Sequence, residues 1–209
     1  MKVSKNFNLA SPKNDQFMRL LQALLLIIFI PLILRYQIQL LSYLDWGDET
    51  GTIVTSKMMA AGQKLFSDIH ELHGPLAYLP GVLVEQFGNF GVRGHRIFIL
   101  ILQWLALISI YFSPIKTSKL YKTIYCIVCA TIMVIFFPEI FGHTMIFQVI
   151  AGLFFIIILA QYTLPSILDT APLNQFQIIV GNALIACLPF LAFTYIPITI
   201  ALFFASYQK

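Results

Sequence analysis

Charge is what this 209-residue chain has least of. Only 11% of its residues are Asp, Glu, Lys or Arg, against about 25% in soluble domains. Apolar residues make up 59%, and the mean hydropathy is +0.84. Scarcity of charge on that scale excludes a soluble domain and points to a bilayer. No basic run interleaved with aromatics lies outside the apolar stretches, which excludes nucleic acid as a partner. Cysteine is scarce too: Cys126, Cys129 and Cys187 all fall inside apolar stretches, and an odd, buried set is no disulfide framework. Cys126 and Cys129 have CxxC spacing, but an apolar helix offers no polar approach for redox or metal chemistry, so they read as small core residues. No small-residue cleavage site follows the first apolar run, which is therefore read as a retained anchor and not a signal peptide.

What the chain has is apolar length. A helix needs about 20 apolar residues to cross the hydrocarbon, so the expected fold is all-α, with about six transmembrane helices. Residues 1–209 form a single polytopic membrane domain in this reading, with an external loop, 42–95, containing juxtamembrane helices. Met18 to about Leu41 is the first crossing, with Pro31 as a kink and Arg35 near enough to the far end to snorkel into the interface. Lys2, Lys5, Lys13 and Arg19 put the N-terminus in the cytoplasm by the positive-inside bias. The next strongly apolar run, Arg96 to Phe112, is followed by Lys116, Lys119 and Lys122, cytoplasmic by the same bias. That bias decides the reading of Pro75 to Val92, which contains Pro80, Glu85, Gln86, Asn89 and three glycines. Were it a crossing, the three lysines would face outward, so it is read as an interfacial or partly re-entrant segment on the outer side.

Leu120 to Phe137 returns outward, Pro138 to His143 turns outside, and Thr144 to Leu164 comes back in. Pro165 to Gln175 reads as a cytoplasmic loop. Phe176 to Tyr207 is interrupted by Pro189 and Pro197 and reads as a broken pair of short helices, not one long tilted helix. On this topology eight of the thirteen basic residues are cytoplasmic and seven of the nine acids face outward.

The island between the first two crossings, Asp45 to Arg96, holds six of the nine carboxylates and three of the four histidines. Val54, Met58, Ala61 and Leu65 recur at helical spacing, so Thr50 to Leu65 is predicted to form a helix with one apolar face, lying at the membrane surface. Asp48 and Glu49 stand ahead of its first turn, where free backbone N–H groups favour negative charge. Capping is one role for Asp48. The other follows from its place beside Trp46, directly after a crossing, where a general base would meet a substrate anchored by a lipid tail. Asp68, His70, Glu71 and His73 put four ligand-capable side chains in a short run, but the order of a zinc protease motif is absent and Pro75 favours a turn. No cofactor is expected there; a divalent cation is the disfavoured alternative to sugar-hydroxyl binding or plain solvated polarity.

With these residues in view, the island resembles the first external loop of the GT-C superfamily of membrane glycosyltransferases, in particular the relatives of protein mannosyltransferases and lipid A aminoarabinose transferases. The matching elements are Asp48-Glu49, Gly62 with Phe66 and Asp68, Pro75-Leu76, and Phe87-Gly88 followed by Arg93 or Arg96. The resemblance implies transfer of a sugar from a polyprenyl-phosphate donor to an acceptor hydroxyl on the outer face of the membrane, with membrane lipid as the surroundings and the inner (plasma) membrane of a bacterium as the location. It implies Asp48 and Glu49 as catalytic residues, Asp48 being the base that takes the acceptor proton. It implies Asp68, His73, Arg93, Arg96 and Glu139 as substrate-binding residues, the arginines matching phosphate charge together with Lys57 and Lys64. Glu139, or less closely His143, matches a further acid of the family in the second external turn.

Two departures accompany the match. Members of the group are longer, and where many carry a lysine in the last hairpin this chain reads Cys187-Leu188-Pro189-Phe190. The sequence therefore also admits an amino-terminal fragment, a half completed by a second chain, or an inactive lipid-binding or assembly subunit. A small transporter is the remaining rival, disfavoured because no crossing carries an acid in its middle.

Overall fold

The computed structural model describes residues 12–43, 47–88, 90–168 and 172–207, with side chains from Gln16 onward. Lys2, Lys5, Lys13, Asp45, Trp46, Asn89, Asp169 and Lys209, used in the sequence reading, lie outside these as residues or as side chains. Among the described residues the protein is helical throughout, with no strand. Four helices are long and apolar enough to cross a membrane: Gln16–Leu40 within α1 (Pro12–Leu40), α4 (Gly91–Tyr111), α5 (Lys119–Phe136), and the continuous rod Phe147–Leu168. That rod consists of α6 (Phe147–Ile158), a π-helical turn at Leu159–Thr163, and α7 (Leu164–Leu168). The expected loop from Pro165 is thus helical as far as Leu168. A wider turn ahead of a proline relieves the clash between its ring and the carbonyl four residues back, and the Ala160 carbonyl accepts a hydrogen bond from Ser113 Oγ at 2.5 Å.

Between α1 and α4 lie α2 (Gly47–Ala60), a 3₁₀ turn at Pro75–Ala77, and α3 (Leu79–Phe87). At nine residues, α3 is about 14 Å long, half the hydrocarbon thickness. The last apolar stretch is two helices, α8 (Gln175–Leu191) and α9 (Ile196–Tyr207), joined by a 3₁₀ turn at Phe193–Tyr195. Helix α8 starts on a capping box, with Asn174 and Gln177 bonding each other's backbone N–H groups. It stops two residues after Pro189.

Side-chain bonds across the bundle fix which ends coincide. Gln22 Nε2 donates to Tyr111 Oη at 2.7 Å, Gln37 Nε2 to Gln103 Oε1 at 2.8 Å, and Arg96 Nη1 to the Tyr43 carbonyl at 2.6 Å. Residue numbers rise along α1 as they fall along α4, so the two are antiparallel, and the last turn of α1 meets the first turns of α4. The α5–α6 turn joins the same end, because the Gly142 carbonyl accepts from Gln103 Nε2 and His143 packs edge-on against Tyr43. The α8–α9 turn does too. There the Gly74 N–H donates to the Leu191 carbonyl at 3.0 Å, and a Cβ on Gly74 would stand 2.1 Å from the Phe190 carbonyl oxygen, so only glycine fits. At the opposite end Lys122 Nζ bonds the Ser113 carbonyl, Gln177 bonds Gln161, and Thr163 bonds Ser206. Helices α8 and α9 thus lie alongside the longer rod and pack on it.

The described carboxylates, Asp48, Glu49, Asp68, Glu71, Glu85 and Glu139, therefore all belong to segments at one end, and Lys116, Lys119 and Lys122 to the other. In a bilayer, single cysteines placed at positions 48 and 139 are expected to react with a membrane-impermeant maleimide from one side, and a cysteine at 116 only from the other. Labelling of 48 and 116 from the same side would break this arrangement.

Candidate functional site at the acidic end of the bundle

The acidic end is organised around two oppositely charged side chains. Glu49 is in the first turn of α2 and is 0% exposed; Arg96, in the second turn of α4, is 1% exposed. Arg96 Nε donates to Glu49 Oε1 at 2.9 Å and its Nη2 donates to Oε2. Its Nη1 donates to the carbonyls of Leu40 and Tyr43 at the end of α1. Glu49 Oε1 also accepts the backbone N–H of Met145, 96 residues along the chain. These two residues were expected to take part in catalysis and phosphate binding. Instead their polar groups face one another and backbone, which leaves neither an open face for substrate.

The expected bounds of α2, Thr50 to Leu65, need correcting. The helix starts at Gly47 and ends at Ala60, ahead of Gly62 in the left-handed region (φ 95°). Its buried face is Glu49, Ile53, Thr55 and Ser56, while Val54, on the expected apolar face, is 49% exposed. The inward face is partly polar because α2 packs on α3: Ser56 Oγ donates to the Tyr78 carbonyl, and Gly81 lies against the Ser56 side chain.

Asp48 is one residue from this anchor and points elsewhere. It is exposed at the start of α2, and its backbone carbonyl accepts from Thr52 Oγ1. Among the described residues its carboxylate has no hydrogen-bonding or ionic partner. Asp68 is exposed but engaged, with Oδ2 accepting from the Lys64 N–H at 2.8 Å and Oδ1 from Ser67 Oγ at 2.9 Å. The Lys64 N–H and then the Ser67 hydroxyl hold its carboxyl below its ordinary value. That turn forces Phe66 to φ 72°, a strained conformation for an aromatic residue. A depressed carboxyl lends the turn stability that is lost only as pH falls below the ordinary carboxylate range. Asp68 therefore clamps a loop.

His73 stacks on Phe147 with centroids 4.0 Å apart, and its Nδ1 lies 3.4 Å from Tyr78 Oη. Tyr195 from the α8–α9 turn meets Phe147 edge-on at 6.2 Å. Glu71, absent from the expected set, accepts from Thr55 Oγ1 at 2.8 Å. Burial first, and then the neighbouring Glu71 carboxylate, push the Tyr78 phenol well above its usual range. This Thr55–Glu71–Tyr78–His73 group had no sequence signal beyond the clustering of polar residues.

Glu85, another residue the sequence reading left without a role, lies 3.4 Å from His95 Nε2 and 3.9 Å from Lys57 Nζ. Arg93 and Glu139 are exposed, on the first turn of α4 and in the α5–α6 turn respectively. His143, the weaker match in that turn, is buried with Nδ1 against the Phe137 carbonyl. Among the described residues no three of the His, Cys, Asp and Glu side chains converge as a metal site would require.

Comparison with known proteins gives no match to any family model, curated protein or solved structure. The contrast between neighbouring Asp48 and Glu49 is testable on its own. Glu49→Ala or Arg96→Ala should each cost about 3–5 kcal/mol, because each strands a buried charge, while Glu49→Met with Arg96→Met should cost less than either. Asp48→Asn should change stability by less than about 0.5 kcal/mol. Unfolding in mixed micelles measures all four variants, and a tolerated Glu49→Ala would refute the anchoring role.

Proposed function

We propose that the chain is a GT-C-type membrane glycosyltransferase, transferring a sugar from a polyprenyl-phosphate donor to an acceptor hydroxyl at the acidic end of the bundle. Asp48 is the base in this reading. What supports it is one contrast: an exposed carboxylate without a partner among the described residues, on a helical turn whose next residue is pinned into the bundle by Arg96. A base needs access and a fixed backbone, and Asp48 combines the two.

As the acceptor oxygen forms its bond to the anomeric carbon, its proton passes to Asp48. The bond from that carbon to the phosphate oxygen breaks, and its electron pair leaves with the polyprenyl phosphate. The leaving phosphate needs cationic company. With Arg96 committed to Glu49, exposed Arg93 takes that role, assisted by Lys64. Glu139 and His73 are the acceptor-binding candidates. Asp68 serves as the clamp of the loop between α2 and the 3₁₀ turn. No metal enters the scheme. All six helix columns, including α8 and α9, cross the bilayer, and the acidic end faces outward at the plasma membrane.

The test is transfer in reconstituted vesicles from polyprenyl-phosphate-linked hexoses and pentoses. Asp48→Asn should lower the rate by roughly 10²- to 10⁴-fold, the usual worth of a general base, with helicity and insertion unchanged. Transfer by the Asn variant at the wild-type rate would reject Asp48. Polyprenyl phosphate bound by wild-type protein without turnover would favour the second reading, an assembly or lipid-binding subunit acting beside another chain.

A further inference from the structure

Helix α5 packs on α1 and α4, whereas the α6–α7 rod packs on α4, α8 and α9. The two therefore diverge, with α4 as the floor between them. The groove left has a volume of about 860 Å³. Its walls are apolar along the shaft, with Ile124, Val128 and Ile132 from α5 facing Ile156, Leu159 and Leu164. Its mouth at the basic end is different, being lined by Ser113, Thr117, Tyr121 and Lys122. Lys116 and Lys119 are exposed beside it. No carboxylate among the described residues pairs with any of the three lysines, and every described carboxylate lies in a segment at the opposite end.

From this we infer a binding site for an anionic phospholipid, with its phosphate headgroup at Lys116, Lys119 and Lys122 and its acyl chain along the α5–α6 groove. Charge complementarity selects this occupant. An apolar groove alone would take any lipid tail, but three ammonium groups at its mouth, none of them paired with a carboxylate among the described side chains, attract negative charge at the depth of the headgroups. Lys122 is half-buried, and its Nζ is held by the Ser113 carbonyl, so the charge sits at the rim of the groove instead of sweeping through solvent. Tyr121, exposed at the same level, is the residue type that favours the membrane–water boundary. One leaflet is half the hydrocarbon thickness, about 15 Å, so a phospholipid chain covers the half of the groove from Tyr121 to Val128. This site is independent of the transfer reaction, which is placed at the other end of the bundle.

The experiment is native mass spectrometry of the full chain, released from detergent with phosphatidylglycerol or phosphatidylcholine of identical acyl chains. Each surface lysine is worth about fivefold toward an anionic lipid, so phosphatidylglycerol should be retained at least about tenfold better than phosphatidylcholine. Lys116→Gln with Lys119→Gln should remove most of that preference while leaving phosphatidylcholine binding unchanged. Val128→Trp, which fills the shaft, should weaken both lipids alike. Added salt should erode the preference of the wild-type protein, which checks the headgroup contact with no substitution at all. Equal retention of the two lipids would overturn the proposal, as would a preference that survives both the glutamine pair and salt. A stable dimer that Val128→Trp abolishes would also overturn it, by assigning the groove to a second copy of the chain.

Discussion

Everything at the acidic end depends on the guanidinium of Arg96 and the carboxylate of Glu49. Burying either charge alone would be prohibitive, and burying both is tolerable only when hydrogen bonds saturate what water would otherwise solvate. Here they do: Glu49 takes two donors from Arg96 and one from Met145, and the remaining guanidinium nitrogen goes to carbonyls at the end of α1. Those carbonyls are acceptors that a helix end leaves unpaired. The end of α1 and the start of α2 thus meet two segments far along the chain at one point. The pair is costly to break and poor at reaching solvent, which suits a hinge pin and not a catalyst.

The rest of the bundle uses the same kind of bond at lower charge. In lipid the hydrophobic effect does not drive helices together, since a lipid tail is as apolar as a leucine; polar contacts and close approaches of small residues do the work. Gln22 with Tyr111 and Gln37 with Gln103 bridge the α1–α4 seam, and Gln103 continues to the Gly142 carbonyl of the α5–α6 turn. Gly181 against the Tyr162 ring and Gly74 against the Phe190 carbonyl are approaches that a Cβ would prevent. The apolar residues of α1 and α5 meanwhile point outward in quantity, as in Ile27, Ile28, Ile132 and Ile135.

This explains what could be read from the sequence and what could not. Apolar run length is a one-dimensional signal, so the four long apolar helices were legible to within a few residues, as was the break of the last stretch near Pro189. The facing of α2 was not. Periodicity marked Val54 and Met58 as an apolar face lying at the membrane surface, but it carries no sign that Glu49, Thr55 and Ser56 form the face turned to protein. At a bilayer surface the apolar side can look toward lipid, while Glu49 and Ser56 turn toward protein. Nor could composition separate Arg93 from Arg96. Three residues apart on a helix, one is exposed and the other is enclosed, a difference set by Glu49, 47 residues upstream. The His73–Phe147 stack is equally invisible in sequence, because it joins a loop to a helix 74 positions away.

The same subtraction narrows the chemistry. Of the carboxylates gathered at this end, Glu49 is enclosed with Arg96, Asp68 closes its own turn, Glu71 accepts from Thr55 and borders Tyr78, and Glu85 faces His95 and Lys57. Each of these is committed to holding structure. Asp48 and Glu139 are left open among the described residues, and they differ in what supports them. Glu139 sits in a hydrogen-bonded turn between two long helices, with no buried ion pair beside it to anchor it. Asp48 sits on a helical turn whose adjacent residue is bound at both carboxylate oxygens. A base must be ionised before it can take a proton and immobile enough to be aimed. The buried neighbour supplies the second condition, so the roles of Asp48 and Glu49 are complementary: one is exposed to act because the other is buried to hold it.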